Sequence, residues 1–311
     1  DCSGCMDSSA INYDEGATID DDSCIIINAW YVKTSDAGGS DMNTGYSPEE
    51  ALSSISQALV LAAADGDTII VYPGTYTENI VVNKNVTIGS LLLFEDNDAY
   101  IHNTRIDGGA TGRVIDINDV DDMVLYGLSI VNGNSNGNGG GIRIVDSTPL
   151  IERVIISGNR SDANGGGLYC QNSDPILSHV TIANNYSTAG GGIDSYDDVD
   201  IIIENSIIWG NYPNQITFEN GGGGQNTMNI SYASIGSTVG GATDVIDGSS
   251  YDWSGSDDDY FTLQPRFVDD SITAPSGGGN YHLDEEQEDP NSSDSSSDDN
   301  ILINYYYYYY N

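Results

Sequence analysis

Short apolar runs alternate with polar turns along most of the chain, and one stretch near the beginning follows a helical period instead. Ser47 and Pro48 favour a helix start, because Ser47 can cap the helix and Pro48 fits its first turn. The apolar residues that follow at helical spacing are Leu52, Ile55, Leu59 and Ala62. The pattern therefore predicts an amphipathic helix over 48–64. After Gly66, β-branched runs between Pro-Gly and Asn-Lys-Asn turns predict strands.

The strand-like runs belong to an internal repeat. Three segments align residue for residue, at 152–159, 178–185 and 204–211. Ile156, Ile182 and Ile208 occupy the same position in these segments, and their residue numbers rise in equal steps of 26. Glycine triplets recur with nearly the same period, at 139–141, 165–167 and 190–192. A repeat of this length determines the architecture and is interpreted before any single motif.

A unit of this length with three short strands and three turns is one coil of a parallel β-helix, whose coils stack at a spacing of ~4.8 Å. Alternation along each strand then assigns every residue to the inside or the outside. Ile144, Cys170 and Ser195 fall on the inside, which predicts that Cys170 is a buried, unreactive thiol. The other inward positions are Ile142, Leu168, Ile193, Val154, Val180, Ser206, Ile156, Ile182 and Ile208. The outward positions are Arg143, Tyr169, Asp194, Arg153, His179 and Asn205.

One asparagine recurs at a turn of each coil. Asn159, Asn185 and Asn211 follow the same period as the isoleucines, so their side chains are predicted to stack. A stacked asparagine amide can bond to the coils above and below it and satisfy backbone groups of the turn. We therefore expect a structural asparagine ladder, which makes the Asn-x-Ser sequons at Asn159 and Asn185 poor glycosylation sites.

The segment 1–24 has too few apolar side chains to fold on a hydrophobic core, so a covalent staple is expected. A disulfide between Cys5 and Cys24 would close a loop that is rich in oxygen ligands. These candidate ligands are Asp7, Asn12, Asp14, Asp20, Asp21 and Asp22. Clustered carboxylates suit Ca²⁺; the alternative is a solvated acidic linker with one disulfide.

The net charge of the chain excludes some classes of function. The formal charge is −40, from 48 Asp and Glu against 8 Lys and Arg. A surface of this sign repels nucleic-acid phosphates and anionic lipids, and it favours divalent cations or a salty medium. No apolar run approaches the ~18 residues of a transmembrane helix, so no membrane insertion is expected. Three of the four cysteines lie between Cys2 and Cys24 inclusive, a distribution typical of an oxidised extracellular module.

Two stretches resemble known families of secreted proteins. Residues 4–24 resemble the GCxDxxAxNYxxxAxxDDxSC modules of large bacterial surface proteins, through Gly4-Cys5, Asp7, Ala10, Asn12-Tyr13, Ala17 and Asp21-Asp22-Ser23-Cys24. In that pattern Cys2 closes a preceding module, which implies that the protein continues upstream. A calcium role is implied by the resemblance.

Residues 29–283 resemble the right-handed parallel β-helix (pectate-lyase-like) surface proteins. The similarity lies in the entry from Trp30 through the run ISQAL to VYPGTYTENIVV, in the repeated coils, and in LQPRFVD at 263–269 followed by NYHL at 280–283. This resemblance implies an all-β, right-handed parallel β-helix with the helix at 48–64 capping its N-terminal end. It implies little about chemistry, because the family mixes enzymes with uncharacterised surface proteins.

The end of the chain has a different composition. Residues 284–299 are too acidic and polar to pack, and we expect them to be disordered or a linker. The six tyrosines at Tyr305–Tyr310 match no motif and are assigned no function. The predicted organisation is therefore an acidic stapled module at 1–27, the β-helix at 28–283, and an acidic tail at 284–311.

The outward positions decide between an enzyme and a non-catalytic protein. Arg143, Tyr169 and Asp194 lie on neighbouring coils, yet no coil repeats an acid that would converge with another. We interpret the chain as a non-catalytic extracellular or cell-surface protein, structural or adhesive, and stabilised by Ca²⁺. Its predicted partners are an extracellular polysaccharide or cell-surface glycan and further copies of itself in a filament.

Aromatic rings support the prediction of glycan contact. Exposed rings beside polar side chains suit the faces and hydroxyl groups of sugars. The predicted glycan contacts are Tyr169, Asp194 and Trp209. The alternative is a polysaccharide lyase or glycoside hydrolase that acts on an acidic polysaccharide.

Overall fold

The structure, a computed structural model, is a parallel β-helix. It describes residues 3–6, 14–21, 29–62, 66–219, 226–231, 233–236, 243–247, 251–253 and 260–261. The segment 263–283 that resembles the family's closing segment and the tail 284–311 lie outside these residues. The strands form three long parallel sheets, and each coil gives one strand to each sheet before the chain returns to the first.

The bounds of the strands follow from short β-branched runs separated by turns. Sheet 1 contains Ala29–Val32, Thr68–Val71, Thr87–Ser90, Val124–Tyr126, Leu150–Glu152, Ile176–Ser178, Asp200–Glu204, Asn226–Ser231 and Tyr251–Trp253. Sheet 2 contains Gly74–Thr77, Thr104–Asp107, Ser129–Val131, Ile155–Ser157, Thr181–Ala183, Ile207–Trp209, Ala233–Gly236 and Tyr260–Phe261. Sheet 3 contains Ile80–Val82, Ile115–Asn118, Ile142–Val145, Leu168–Gln171, Ile193–Tyr196, Asn214–Glu219 and Thr243–Asp247.

Shorter elements surround the coils. Two-residue strands pair Ser3–Gly4 with Ile19–Asp20 and Asn134–Ser135 with Arg160–Ser161. The helices are the 3-10 turns Ser35–Ala37, Pro48–Glu50 and Leu91–Leu93 and the α-helices Ile55–Leu61 and Ala99–Asn103. Within the described residues, no helix is long and apolar enough to cross a membrane.

The register confirms the predicted repeat. Ile156 pairs with Ile182 and Ile182 pairs with Ile208, as the common period requires. Ile144 and Cys170 pair on the inside of sheet 3 and are fully buried, so the predicted burial of Cys170 is confirmed. Burial raises the pKa of the Cys170 thiol well above its usual range, which keeps the thiol in its unreactive protonated form. Branched aliphatic side chains from all three sheets fill the core.

The predicted helix over 48–64 is interrupted. Pro48–Glu50 forms one 3-10 turn, capped by the Ser47 side chain, and the chain is then extended at Ala51 before Ile55–Leu61 begins. The Asp41 carboxylate accepts hydrogen bonds from the backbone N–H groups of Ser53 and Ser54 at 2.9 and 3.0 Å and holds this break. Residues 63–65 lie outside the described part, and the capping role of the helix stays a prediction.

The carboxylate of Glu78 anchors the α-helix Ile55–Leu61 to the first coil. The helical spacing of apolar residues does not predict this contact. Glu78 accepts hydrogen bonds at 2.9 Å from the backbone N–H groups of Ile55 and Ser56. These are donors that the first turn of a helix leaves without partners. The helix is therefore held at its start by a residue of the β-helix itself.

The corner between sheets 1 and 2 requires left-handed backbone. Gly127 has a φ of 68°, and the equivalent residues Arg153, His179 and Asn205 have φ values of 52°, 54° and 49°. Residues other than glycine adopt this region at a cost of about 1–2 kcal/mol each. The Arg153 side chain also forms a 3.1 Å ion pair with Asp98. Sequence alternation placed these three side chains on the outside but did not reveal the strained corner.

The asparagines lie in a continuous buried ladder. Asn185 accepts a hydrogen bond through Oδ1 from the Asn159 backbone N–H at 3.0 Å, and its Nδ2 donates to the Ile156 carbonyl at 2.9 Å. Its Nδ2 also donates to Asn211 Oδ1 at 3.0 Å. Gln215 ends this row, because its Oε1 accepts from Asn211 Nδ2 at 2.9 Å. Each amide therefore connects its own turn to neighbouring coils, as predicted.

Replacement of Asn185 by alanine should lower the free energy of unfolding by roughly 3 kcal/mol, because buried backbone groups of two coils lose their partners. Equilibrium urea unfolding measures this change. The control is Asn134→Ala, since Asn134 is exposed and its amide donates only a 3.4 Å bond to the Ala110 carbonyl. We expect the control to stay within ~0.5 kcal/mol of the parent. Equal unfolding midpoints for the two variants would contradict a stabilising role of the ladder.

Candidate functional site

The outer face of sheet 3 brings charged and aromatic side chains into one column. Asp116, Arg143, Tyr169, Asp194 and Thr217 are register partners on five successive strands. Their neighbours along each strand are buried in the interior of the coils, so these side chains point away from it. At ~4.8 Å per strand the column spans roughly 19 Å. We call this column the sheet 3 column.

A second outward row lies two residues further along the same strands. It consists of Asn118, Val145, Gln171, Tyr196 and Glu219. All five of these side chains are half-buried. The two rows together form a mostly polar face, with an arginine–aspartate cluster toward its N-terminal end and Asp194 and Glu219 toward its C-terminal end.

Two arginines share one carboxylate at the N-terminal end of the sheet 3 column. Arg113 Nη1 lies 2.8 Å from Asp116 Oδ2, and Arg143 Nε lies 2.8 Å from Asp116 Oδ1. Arg143 also donates to Asn118 Oδ1 at 2.7 Å. Burial lowers the pKa of Arg113, and the Asp116 carboxylate opposes this shift. The cluster carries one formal positive charge on a chain whose net charge is −40.

Asp194 is the most perturbed carboxyl group of the site. Its side chain is fully buried, and within the described part of the chain neither carboxyl oxygen has a hydrogen-bond partner. Burial raises the pKa of Asp194 to about 8, and the negative charge of Glu219 contributes to this rise. The nearby Asn164 amide acts against this rise in the pKa of Asp194. The hydrogen bond of Asn164 Nδ2 goes to Glu219 Oε2 at 3.1 Å. A pKa of about 8 favours the protonated form of Asp194 at neutral pH.

Tyr169 separates the arginine cluster from Asp194. Only 3% of it is exposed, and its hydroxyl lies 3.4 Å from Gln171 Oε1. Burial raises the pKa of Tyr169 to about 12, with a contribution from the Asp194 charge. The phenol therefore stays neutral and can act as a hydrogen-bond donor.

The expectation of exposed aromatic rings is wrong for two of the predicted glycan contacts. Tyr169 and Trp209 lie on outward positions but are 3% and 5% exposed. Trp209 lies over its register partner Gly236, where a Cβ atom would come within 2.4 Å of the indole ring. Trp209 is thus on an outward position but is buried, because the next coil presents a glycine against its ring. Glycan contact by Tyr169, Asp194 and Trp209 stays a prediction.

Two residues of the candidate site were missed because the repeat changes length where they occur. Ile193 pairs with Ile216, so the step from the Asp194 strand to the Glu219 strand is shorter than the common period. The step from Asp116 to its partner Arg143 is one position longer than that period. One signal in the sequence could have placed Asp116 on the column. Ile115–Asn118 and Ile142–Val145 share the same alternation of isoleucine with other residues, which aligns Asp116 with Arg143.

The predicted metal ligands are only partly described. Asp14, Asp20 and Asp21 are exposed, and the Gly16 backbone N–H donates to Asp14 Oδ1 at 2.8 Å. The ligands outside the described residues are Asp7, Asn12 and Asp22. Among the residues that are described, no group of three His, Cys, Asp or Glu is placed to hold a metal ion. Calcium binding by this module stays a prediction.

The predicted staple is also only partly described. Cys5 is buried and disulfide-bonded. Cys24 lies outside the described residues, so the pairing of Cys5 with Cys24 stays a prediction.

Comparison with known proteins gives a likeness of fold. No protein-family model and no curated protein matches the chain. A pectate lyase structure is similar with a TM-score of 0.48 and 14% identity, covering 68% of this chain and 56% of that one. A rhamnogalacturonan lyase has a TM-score of 0.42 and 11% identity, covering 72% and 62%. A pectin methylesterase from Erwinia chrysanthemi has a TM-score of 0.41 and 10% identity, covering 72% and 82%.

The chain thus spans little more than half the length of the pectate lyase. The identities to these three structures lie between 10% and 14%, and the TM-scores lie between 0.41 and 0.48. Values this low concern the fold alone. The assignment of a parallel β-helix rests on the strand register within the chain itself.

The raised pKa of Asp194 predicts a specific dependence of stability on pH. An unfolded aspartate has a pKa of about 3.9, so from about pH 4 to about pH 8 the folded chain holds a proton that the unfolded chain has lost. The contribution of Asp194 to stability therefore falls as pH rises through this window, by at most about 1.4 kcal/mol per pH unit. Asp194→Asn removes this proton exchange.

Urea unfolding of the parent and of Asp194→Asn at several pH values tests this expectation. The variant should gain stability relative to the parent as pH rises from about 5 to about 8. Asp162→Asn is the control, because the Asp162 side chain is half exposed and pairs with Arg160. Parallel stability curves for the parent and Asp194→Asn would show that Asp194 ionises normally.

Proposed function

We propose that the outer face of sheet 3 cleaves an acidic polysaccharide by acid–base chemistry. The observation that carries this proposal is the fully buried Asp194 carboxyl group, which has no hydrogen-bond partner among the described residues and lies one strand away from the Glu219 carboxyl group. Burial favours the protonated form of Asp194 by raising its pKa to about 8. A neutral carboxylic acid and a carboxylate are the two groups that hydrolysis of a glycosidic bond requires. The sheet holds both on adjacent strands, so their spacing is fixed by the backbone.

The two carboxyl groups take different roles in this proposal. Asp194 donates its proton to the oxygen of the scissile glycosidic bond, and Glu219 accepts a proton from the attacking water. Glu219 is one strand and two residues away from Asp194, a diagonal of ~8 Å between Cα atoms. Asn164 holds Glu219 in place through its 3.1 Å hydrogen bond. Tyr169 is a neutral donor beside Asp194.

The arginine cluster supports an acidic substrate. Arg143 lies two strands before Asp194 on the same column, at ~10 Å. Arg143 and Arg113 carry two positive charges, and Asp116 carries one negative charge, so one positive charge is left for a ligand. Guanidinium groups bind carboxylates well. A polymer that runs along the column could place a sugar carboxylate near Arg143 while a glycosidic bond reaches Asp194.

Burial of the column favours a second candidate function. Asp194 is fully buried, and Tyr169 is 3% exposed, so a substrate reaches the acid only if the surrounding side chains move aside. A closed column fits a non-catalytic extracellular protein that is structural or adhesive and contacts a polysaccharide or cell-surface glycan through its outer surface. Self-association into a filament and stabilisation by Ca²⁺ belong to this second proposal.

Asp194→Asn and Glu219→Gln should each lower kcat on a polyuronate by about 10²–10⁴-fold, since each removes one proton-transfer group. The parent kcat should fall as pH rises through about 8, because Asp194 then loses the proton that it donates. Release of new reducing ends measures the rate, and Asp162→Asn is the control with unchanged activity.

The products separate the candidates. Unsaturated products that absorb in the ultraviolet would show that the chain cleaves the polymer by elimination and not by hydrolysis. Binding of the polymers without cleavage across a panel of polyuronates and neutral glycans would overturn the catalytic proposal and support the adhesive one.

Arg143→Gln should raise KM for an acidic polymer several-fold and leave KM for a neutral polymer unchanged. The physical reason is that the variant loses a positive charge that pairs with substrate carboxylates, while a polar side chain remains in its place. Steady-state kinetics on a polyuronate and on its methyl-esterified form measure the difference. An equal rise in KM for both polymers would assign Arg143 to the folding of the column instead.

A further inference from the structure

Two exposed tyrosines stack on adjacent coils, in the segments that connect sheet 2 to sheet 3. The ring centroids of Tyr186 and Tyr212 are 5.4 Å apart, and the ring planes differ by only 13°. About two fifths of each residue is exposed, 41% for Tyr186 and 39% for Tyr212. The guanidinium group of Arg160 lies 4.5 Å from the centroid of the Tyr186 ring.

The backbone holds this pair in register. Arg160 is the β-bridge partner of Tyr186, and Tyr186 is the partner of Tyr212. The Tyr186 N–H donates to the Asn159 carbonyl and the Tyr212 N–H to the Asn185 carbonyl, each at 2.9 Å. Each tyrosine directly follows a buried asparagine of the ladder. The two rings therefore extend from a rigid base, and part of each residue stays open to solvent.

We propose that Tyr186 and Tyr212 form a site of oxidative cross-linking, at which a one-electron oxidant joins the two rings as dityrosine. The co-reactant is a peroxide that is activated by a haem peroxidase. The product links two adjacent coils covalently through residues at equivalent positions of the repeat.

The coupling removes two electrons and two protons from the protein. Each phenol gives one electron and one proton to the oxidant, and two phenoxyl radicals result. The radicals couple through a carbon ortho to each hydroxyl, and a carbon–carbon bond forms. Each ring then shifts its ortho hydrogen from carbon to oxygen and becomes aromatic again. Two tyrosines and one hydrogen peroxide thus give one dityrosine and two water molecules.

Proximity selects this pair. Coupling requires two radicals to meet, and groups held next to each other react as if at a very high local concentration. Tyr31 and Tyr72 are the natural comparison, because they also form a close pair of rings. Their centroids are 6.5 Å apart with planes tilted by 52°, and both residues are half-buried. The larger separation, the tilt and the lower exposure leave that pair less suited to coupling.

The experiment oxidises the full chain with a haem peroxidase and hydrogen peroxide and maps dityrosine by mass spectrometry of proteolytic peptides. We expect a cross-linked peptide pair that contains Tyr186 and Tyr212 and has lost two hydrogen atoms. A mixture of ¹⁴N- and ¹⁵N-labelled chains should give this link within single chains only. Its yield should not depend on protein concentration, and unfolding in urea before oxidation should remove its preference.

Matched variants make the test specific. Tyr212→Phe keeps the ring and its stacking but has no phenol to oxidise, so the link should disappear without loss of fold. Tyr72→Phe should leave the yield of the Tyr186–Tyr212 link unchanged. The proposal is overturned if dityrosine forms at other positions while Tyr186 and Tyr212 stay unlinked. Mixed-label links between chains as the main Tyr186–Tyr212 product would overturn it as well.

Discussion

The structure depends on one constraint, which is that each side chain stacks on its register partner about one strand spacing away. At ~4.8 Å two like charges repel by about 0.9 kcal/mol even in water, and more where water is excluded. An amide is the opposite case, since its donor and acceptor can both be used by identical neighbours. Asn159, Asn185 and Asn211 accordingly form a buried ladder.

The sheet 3 column follows the same constraint with different residues. It mixes Asp116, Arg143, Tyr169, Asp194 and Thr217. Neither Asp116 nor Asp194 has an acid as its register partner on the strands to either side. A chain of charge −40 can therefore stack this face without placing two carboxylates in direct register.

The repeat made much of the fold predictable from the sequence, and the site only in part. Ile156, Ile182 and Ile208 had one period and one alternation, so their register and burial followed directly. The break in the helix at 48–64 depends on Asp41 binding the backbone at Ser53 and Ser54, a tertiary contact that leaves no local period. The alternation of residues along a strand assigns a side chain to the outside but does not determine how exposed it is. Trp209 is on the outside and is buried, because its ring lies against Gly236 of the next coil. Glu219 was missed because its coil is shorter than the common period.

At Asp194 the stability of the fold and the proposed function make opposite demands. A buried carboxyl group without hydrogen-bond partners is costly, and an apolar side chain of similar size would avoid this cost in a purely structural column. Thr217 and Tyr169, its register partners, avoid the repulsion that stacked acids would suffer. They leave both of its oxygens without hydrogen-bond partners within the described residues. Strained or unsatisfied groups persist where the surrounding structure is rigid enough to hold them, and they concentrate at functional sites. In this chain the ladder supplies that rigidity, through Asn185 in the coil of Asp194 and Asn211 in the next coil.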